Sequence, residues 1–209
     1  MNARWGPVDP VTLSDGAVFA TQRRPGRRGT PDVVLVPGGS GAWDALEPLA
    51  EVIGDEATIH RYRRLEREPS SGVRSVERRV ADLDELRQHW GLTRMVLIGH
   101  WLGAAPALAY AAAHPERVGA VAHLCGIGLG EPDSPFADAD LIGWAAATRC
   151  PVHFIHATAD ARPAVHAMQL ADRTPIARKR VVADAGHLPW LDQPDAVREL
   201  LVELIRAGS

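Results

Sequence analysis

A regular alternation of two kinds of segment along the chain is the feature that most constrains its fold. Short β-branched, apolar runs bounded by turn residues are typical of buried strands, and they occupy residues 32–36, 57–62, 94–98, 118–124, 152–156 and 179–183. Segments with helical spacing of apolar residues cover 43–53, 76–90, 102–113, 164–171 and 196–205. This alternation predicts an α/β fold, with a mostly parallel central sheet and helices on both faces. A hairpin is predicted before it, at residues 11–22.

Composition limits the classes of protein that this chain can represent. With 209 residues, 46% of them apolar, it can bury a sizeable core, and we expect residues 1–209 to form a single domain. The net charge of −3 gives no electrostatic reason to bind nucleic acid or an anionic membrane. No basic segment followed by an apolar one opens the chain, so a cytoplasmic protein is expected. Cys125 and Cys150 are too few and too far apart for a zinc site or a disulfide framework.

The predicted sheet also predicts where a ligand would bind. In sheets of this kind, ligands bind at the carboxyl ends of the strands, where the following loops meet. These loops are residues 37–44, 63–72, 99–103, 126–138, 157–163 and 184–192. Candidate functional residues are therefore sought there.

The loop after strand 94–98 carries the most specific motif. Gly99-His-Trp-Leu-Gly103 joins this strand to an alanine-rich helix, and it resembles the G-x-S-x-G nucleophile elbow of the alpha/beta-hydrolase superfamily. Glycines at the first and last positions allow a sharp turn that lifts the middle side chain to the floor of a pocket. The middle residue is Trp101, at the position where the resemblance implies a nucleophile.

A second motif lies after the first strand of the alternating region. Pro37-Gly-Gly-Ser-Gly41, closely followed by Trp43, is similar to the His-Gly-Gly-Pro-Gly turn of the proline-iminopeptidase and epoxide-hydrolase branch. This similarity implies an oxyanion hole formed by the backbone amides of Gly39 or Ser40 and of Leu102.

Two further motifs resemble the acid and histidine loops of the same family. Asp160 follows the next-to-last strand and precedes Pro163 by three residues, and His187 follows the last strand, shortly before Trp190. The resemblance implies that Asp160 is the acid and His187 the base of a triad. The chain order of elbow, acid and histidine is the one that the family uses.

The sequence departs from the family in three places. The nucleophile is replaced by tryptophan, and residues 61–69 differ from the turn that relatives have after this strand. Only residues 125–149 separate the sixth strand from the seventh, where capped relatives insert a lid. We therefore expect no large cap domain, and an open or short-lidded pocket unless Phe136 and Trp144 fold over it.

Tryptophan at the elbow changes the chemistry that this site can support. Indole offers no nucleophilic heteroatom at neutral pH, so no acyl-enzyme can form on Trp101. Loss of the nucleophile costs a serine hydrolase about a millionfold in turnover. An Asp160–His187 pair can still move protons without a covalent step. The aromatic faces of Trp101, Trp43 and Trp190 are the predicted substrate-binding surfaces.

Two main hypotheses of function follow. The first is a cofactor-free and metal-free enzyme of specialised small-molecule metabolism, in which His187 and Asp160 serve elimination, cyclisation, isomerisation or direct activation of water. The second is a degenerate hydrolase that binds a ligand or a protein partner without catalysis. The single residues also have structural alternatives: Trp101 only fills a dead pocket, and Asp160 and His187 form a buried polar pair that maintains loop structure. A hydrolase that uses water activated by His187 is a third, related hypothesis.

Other polar residues have simpler structural explanations. His100 and His123 are expected to be packed histidines. Ser40 and Cys125 are weak candidates for a substitute nucleophile, because no motif places a base beside either of them. A basic cluster near the expected pocket mouth is interpreted as a solvated loop or an anion-binding site; it consists of Arg61, Arg63, Arg64 and Arg67.

Overall fold

One twisted sheet organises the molecule. The computed structural model describes residues 5–39, 42–65 and 74–209, without the side chains of 42–45. In this part of the chain eight strands form the sheet, in the order β1-β2-β4-β3-β5-β6-β7-β8. The strands are β1 Asp9–Thr12, β2 Val18–Arg24, β3 Asp32–Val36, β4 Thr58–Arg64, β5 Met95–His100, β6 Val118–Leu124, β7 Val152–Ala157 and β8 Ala177–Val182. The strands from β3 onward are parallel, and β1 and β2 are antiparallel. The predicted strands, the hairpin and the mostly parallel sheet are confirmed.

Helices cover both faces of the sheet, as the alternation predicts. They are α1 Ala42–Ile53, α2 Val76–His89, α3 Ala104–Ala113, α4 Asp138–Ala147, α5 Ala164–Ala171, α6 Pro189–Asp192 and α7 Pro194–Ala207. Residues of β3 alternate between the two cores: Val34 packs with α2 to α5 on one face, and Val33 packs with α1, α6 and α7 on the other. Sequence reasoning missed α4 and the short α6.

The last helix shows how the pattern of apolar residues fixes the layers. Val197, Leu201, Leu204 and Ile205 form one stripe of α7, and each is at most 1% exposed. Side chains at this spacing lie on one face of a helix. Each such burial contributes roughly 1.5–3 kcal/mol before the loss of chain entropy. None of the helices in the described ranges combines the length and the apolar character needed to cross a bilayer.

Strand β4 corrects the interpretation of the basic cluster. Because β4 extends to Arg64, Arg61 is a strand residue that is 4% exposed. Its guanidinium donates to Gln22 Oε1 at 2.7 Å and stacks over the Trp5 ring at 4.0 Å. The solvated-loop interpretation is therefore wrong for Arg61. Arg67 lies outside the described residues.

Candidate active site

The turn after β5 has the backbone of a nucleophile elbow. Trp101 has a φ of +50°, a left-handed conformation that bulky residues rarely adopt. Glycine is required on both sides of it. A Cβ on Gly99 would lie 2.5 Å from the carbonyl oxygen of Gly103, and a Cβ on Gly103 would lie 2.2 Å from that of Val36. The turn lifts the indole out of the core, and Trp101 is 39% exposed.

Asp160 and His187 meet as the sequence predicts. Asp160 follows β7, His187 follows β8, and the Asp160 Oδ2 lies 2.9 Å from the His187 Nδ1. The carboxylate is almost fully buried, whereas the side chain of His187 is about one-third exposed. Asp160 Oδ1 also accepts the backbone N–H of Arg162 at 3.0 Å. The loop thus holds the carboxylate in place, and the imidazole faces outward from it.

The surroundings of Asp160 keep its carboxyl group ionised. Burial alone raises the pKa of Asp160, but the Arg162 amide, the contact with His187 and the positive charge of Arg162 outweigh burial and lower it to about 2. At neutral pH the group is therefore a carboxylate. A carboxylate can only accept hydrogen bonds, so it favours a proton on any nitrogen that faces it.

This lowered pKa predicts a pH dependence of stability. Because the folded-state pKa of Asp160 lies below the unfolded value of about 3.9, the carboxylate stabilises the fold above pH 3.9. That contribution, about 2 kcal/mol, is lost as the pH falls from about 4 towards 2. We expect the free energy of unfolding of Asp160→Asn, measured with urea across that pH range, to fall less than that of the wild type. Asp133→Asn, at an exposed residue, is the matched control and should lose as much stability at acid pH as the wild type. An equal loss in Asp160→Asn would contradict a lowered pKa for Asp160.

His100 supports the histidine loop from behind. It is 5% exposed, which confirms that it is packed. Its Nε2–H donates to the carbonyl oxygen of His187 at 3.0 Å, and the two rings lie 4.5 Å apart. Burial and the neighbouring His187 lower the pKa of His100 to about 3, so this ring is neutral. His123 is also buried, as predicted.

The predicted substrate contact of Trp190 is wrong. Trp190 is 1% exposed and belongs to the core between the sheet and helices α1 and α7. Its ring meets the His100 ring edge-on at 4.8 Å. Helix α6, which the sequence did not reveal, turns this side chain inward. Trp190 therefore packs behind the site and is closed to a substrate.

The glycine turn after β3 meets the elbow closely. A Cβ on Gly38 would lie 3.1 Å from the amide nitrogen of Leu102, and one on Gly39 would lie 4.0 Å from Cζ3 of Trp101. Leu102 stands in the first turn of a helical segment, where amide groups have no intrahelical acceptor. Ser40 lies outside the described residues, as does the side chain of Trp43. The two backbones predicted to form an oxyanion hole are therefore adjacent, with the indole against one of them.

A cavity of about 600 Å³ opens on one side of the indole. Trp101, Leu102, Ile127 and Phe136 contribute to its apolar wall. Phe136 meets the Trp144 ring edge-on, with centroids 6.4 Å apart, so the short segment between β6 and β7 covers part of the pocket. The polar side chains on its wall are Arg79, Glu131, Asp133, Arg162 and His166.

Within the described part of the chain, His187 does not line this cavity. Trp101 lines it, and the Trp101 and His187 rings meet edge-on with centroids 6.0 Å apart. The indole therefore forms part of the boundary between the cavity and the imidazole.

Sequence reasoning missed Arg162. Its Nη2 lies 2.6 Å from the carbonyl oxygen of Cys125, 2.7 Å from His187 Nδ1 and 3.2 Å from Asp160 Oδ2. An arginine two residues after the acid was the available signal, because a loop that holds the carboxylate also brings this side chain close to it. Arg162 lies both on the cavity wall and against the Asp160–His187 pair.

The structure does not support Cys125 as a substitute nucleophile. It is fully buried, and burial together with the nearby Asp160 raises the pKa of its thiol to about 12. Donor atoms of Cys125, His156 and Asp160 lie within 4.8 Å of one another. We assign no metal to them, because the Arg162 guanidinium already supplies a positive charge beside Asp160 and the thiol is protonated.

Comparisons with known proteins show the family and the fold of this chain. The family model for the alpha/beta hydrolase fold matches residues 33–149, from β3 through the elbow to the end of α4. The chain belongs to the alpha/beta hydrolase family. No curated protein matches it in sequence.

Solved structures extend the likeness to the whole fold. VinJ superposes with a TM-score of 0.84 at 14% identity, covering 98% of this chain and 99% of VinJ. The enol-lactonase from Burkholderia xenovorans LB400 gives 0.80 at 18% identity, with 95% and 100% covered. A meta-cleavage product hydrolase from Pseudomonas fluorescens IP01 gives 0.77 at 13% identity, with 97% and 99% covered. At such identities the likeness concerns the fold, and the activity must be argued from the site.

Proposed function

We propose that this alpha/beta hydrolase is a cofactor-free enzyme that acts on a small molecule by proton transfer at His187, without a covalent intermediate. The observation that carries the proposal is the contact between the buried, ionised Asp160 and a partly exposed His187. A structural pair needs no exposed imidazole, whereas a group that exchanges protons with a substrate does.

The mechanism assigns a separate task to each group. The Asp160 carboxylate accepts the Nδ1–H of His187, which leaves Nε2 as the base for a substrate proton and stabilises the resulting imidazolium. The amides of Leu102 and Gly39 stabilise the oxygen that gains negative charge, an effect worth about 3–4 kcal/mol per donor. The apolar part of the substrate occupies the cavity against Trp101. Proton removal beside a carbonyl, elimination and direct activation of water are all compatible with this arrangement.

Hydrogen–deuterium exchange tests the proposal without knowledge of the natural substrate. We expect the wild type, incubated in D2O with a set of aryl ketones, esters and enol lactones, to exchange the proton next to the carbonyl of at least one compound. His187→Ala should lose this exchange, and Asp160→Asn should reduce it by about 10²–10⁴-fold, since oriented acid–base groups contribute that much. His89→Ala, at an exposed histidine at the end of α2, is the matched control and should keep the exchange.

A binding protein without catalysis is the second candidate. The observation that favours it is the indole boundary, because the cavity is lined by Trp101 and Arg162 but, among the described residues, not by His187. In this case the same compounds would bind, with chemical-shift changes at Trp101, and would show no exchange. His187→Ala would then leave binding unchanged.

A further inference from the structure

Two groups compete for one atom at the centre of the site. Asp160 Oδ2 lies 2.9 Å from His187 Nδ1, and Arg162 Nη2 lies 2.7 Å from the same nitrogen. The Nδ1 of a neutral imidazole carries either a proton or a lone pair. With the proton it donates to Asp160, and with the lone pair it accepts from Arg162. One neutral tautomer cannot satisfy both neighbours.

Asp160 favours a proton on Nδ1, whereas the shorter contact with Arg162 favours a lone pair there in the absence of a ligand. Nη2 has two protons and three acceptors within reach, and the two nearest are the Cys125 carbonyl oxygen and His187 Nδ1. The longer contact, at 3.2 Å, is the one to Asp160. A guanidinium remains charged and can only donate. When it donates to Nδ1, the imidazole proton is on Nε2, and His187 presents no lone pair to a substrate.

Arg162 is also placed to receive a ligand. It lies on the cavity wall, and 22% of its side chain is exposed. A guanidinium on a cavity wall binds a carboxylate through charge-assisted hydrogen bonds, which are stronger than those between neutral groups. Glu131 and Asp133 also line the cavity, and Arg79 contributes a second positive charge, so the cavity is not uniformly charged.

We propose that Arg162 binds a carboxylate group of the substrate and that this binding converts His187 into a base. This inference rests on the proposed function and names its substrate class: a small molecule with an apolar part for the Trp101 wall and a carboxylate. When the carboxylate draws Nη2 away from Nδ1, the Nε2 proton leaves to solvent and a proton is taken up on Nδ1. Nδ1 then donates to Asp160, and the net charge of His187 does not change. Arg162 is thus a positioning residue for His187 as well as a substrate-binding residue.

Long-range 1H–15N NMR of the histidine rings tests this directly, because it reports which ring nitrogen carries the proton. The measurement is made above about pH 8, where ordinary imidazoles are neutral, and His187 is assigned with His187→Gln. We expect Nε2–H in the free wild type and Nδ1–H in Arg162→Leu. Arg149→Leu, at an exposed arginine beyond α4, should keep the wild-type tautomer. Nδ1–H in the free wild type, or the same tautomer in Arg162→Leu, would overturn the proposal.

Ligand addition tests the second half of the proposal. Phenylacetate should shift His187 of the wild type towards Nδ1–H, whereas the neutral phenylacetamide should not. A shift with both compounds, or with neither, would overturn the carboxylate assignment. If Arg162→Leu does not fold, a scalar 15N–15N coupling between Arg162 Nη2 and His187 Nδ1 in the wild type replaces it, and absence of the coupling counts against the proposal. Since none of these measurements requires turnover, their failure is distinguishable from failure of the proposed enzyme activity.

Discussion

Trp101→Ser is expected to give this protein an esterase activity that the wild-type residue cannot support. The elbow backbone is already present, with its strained φ and its two close-packed glycines. The substitution adds a hydroxyl nucleophile and removes the indole that separates the cavity from His187. Loss of the serine costs a serine hydrolase about 10⁶-fold in turnover, and the catalysis that remains, about 10³–10⁴ over water, comes from the oxyanion hole and binding. Restoring it should therefore raise p-nitrophenyl acetate hydrolysis by at least about 10²-fold.

The kinetic form of this gain identifies its origin. A burst of one p-nitrophenolate per protein molecule, followed by slower turnover, indicates an acyl-enzyme. Trp101→Ala opens the same space without a nucleophile and should show no burst. Trp101→Ser combined with His187→Ala should lose most of the gain, because the serine needs the base. A folded Trp101→Ser protein without a burst would show that the elbow, the base and the oxyanion amides are not aligned.

Gly103→Ala is expected to destabilise the fold strongly. Its Cβ would lie 2.2 Å from the Val36 carbonyl oxygen and 2.9 Å from Pro37, all backbone atoms that cannot rotate away. The elbow or the end of β3 must therefore move. Overpacking of a buried position usually costs 1–3 kcal/mol, and a backbone clash belongs at or above the top of that range, about 3 kcal/mol. Urea unfolding monitored by tryptophan fluorescence measures it.

Gly143 offers the matched control for this substitution. It lies inside α4, and a Cβ there would meet no atom within 4 Å. Alanine loses less backbone entropy than glycine in a helix, so Gly143→Ala should stabilise the protein by about 0.5–1 kcal/mol. If the two substitutions change the free energy of unfolding in opposite directions, the destabilisation by Gly103→Ala comes from the close approach of the elbow to β3. If Gly103→Ala lowers the free energy of unfolding by less than about 1 kcal/mol, the elbow can move away from β3 at little cost.

The sequence by itself determined the sheet, the elbow and the Asp160–His187 pair. Strand and helix periodicity are local properties, because a side chain's face follows from its position along the element. Residues 99 and 103 are glycines because a Cβ at either position would clash with the backbone of this turn. Loops that follow parallel strands meet at one edge of the sheet, so a carboxylate after β7 and a histidine after β8 had to be neighbours. The helix α4 was missed because only Leu141 and Ala145 of its ten residues are buried, which is too sparse a pattern.

Only the tertiary structure decided which groups touch. Trp190 follows the histidine motif in sequence, yet the turn into α6 buries it against His100 instead of exposing it to a ligand. The position of Trp101 between the cavity and His187 depends on how three loops pack together. The approach of Arg162 to the Nδ1 of His187 depends on distances of a few tenths of an ångström between residues 25 positions apart. The strength of a hydrogen bond changes steeply with such distances. No periodicity or motif therefore predicts whether Asp160 or Arg162 forms the hydrogen bond with His187 Nδ1.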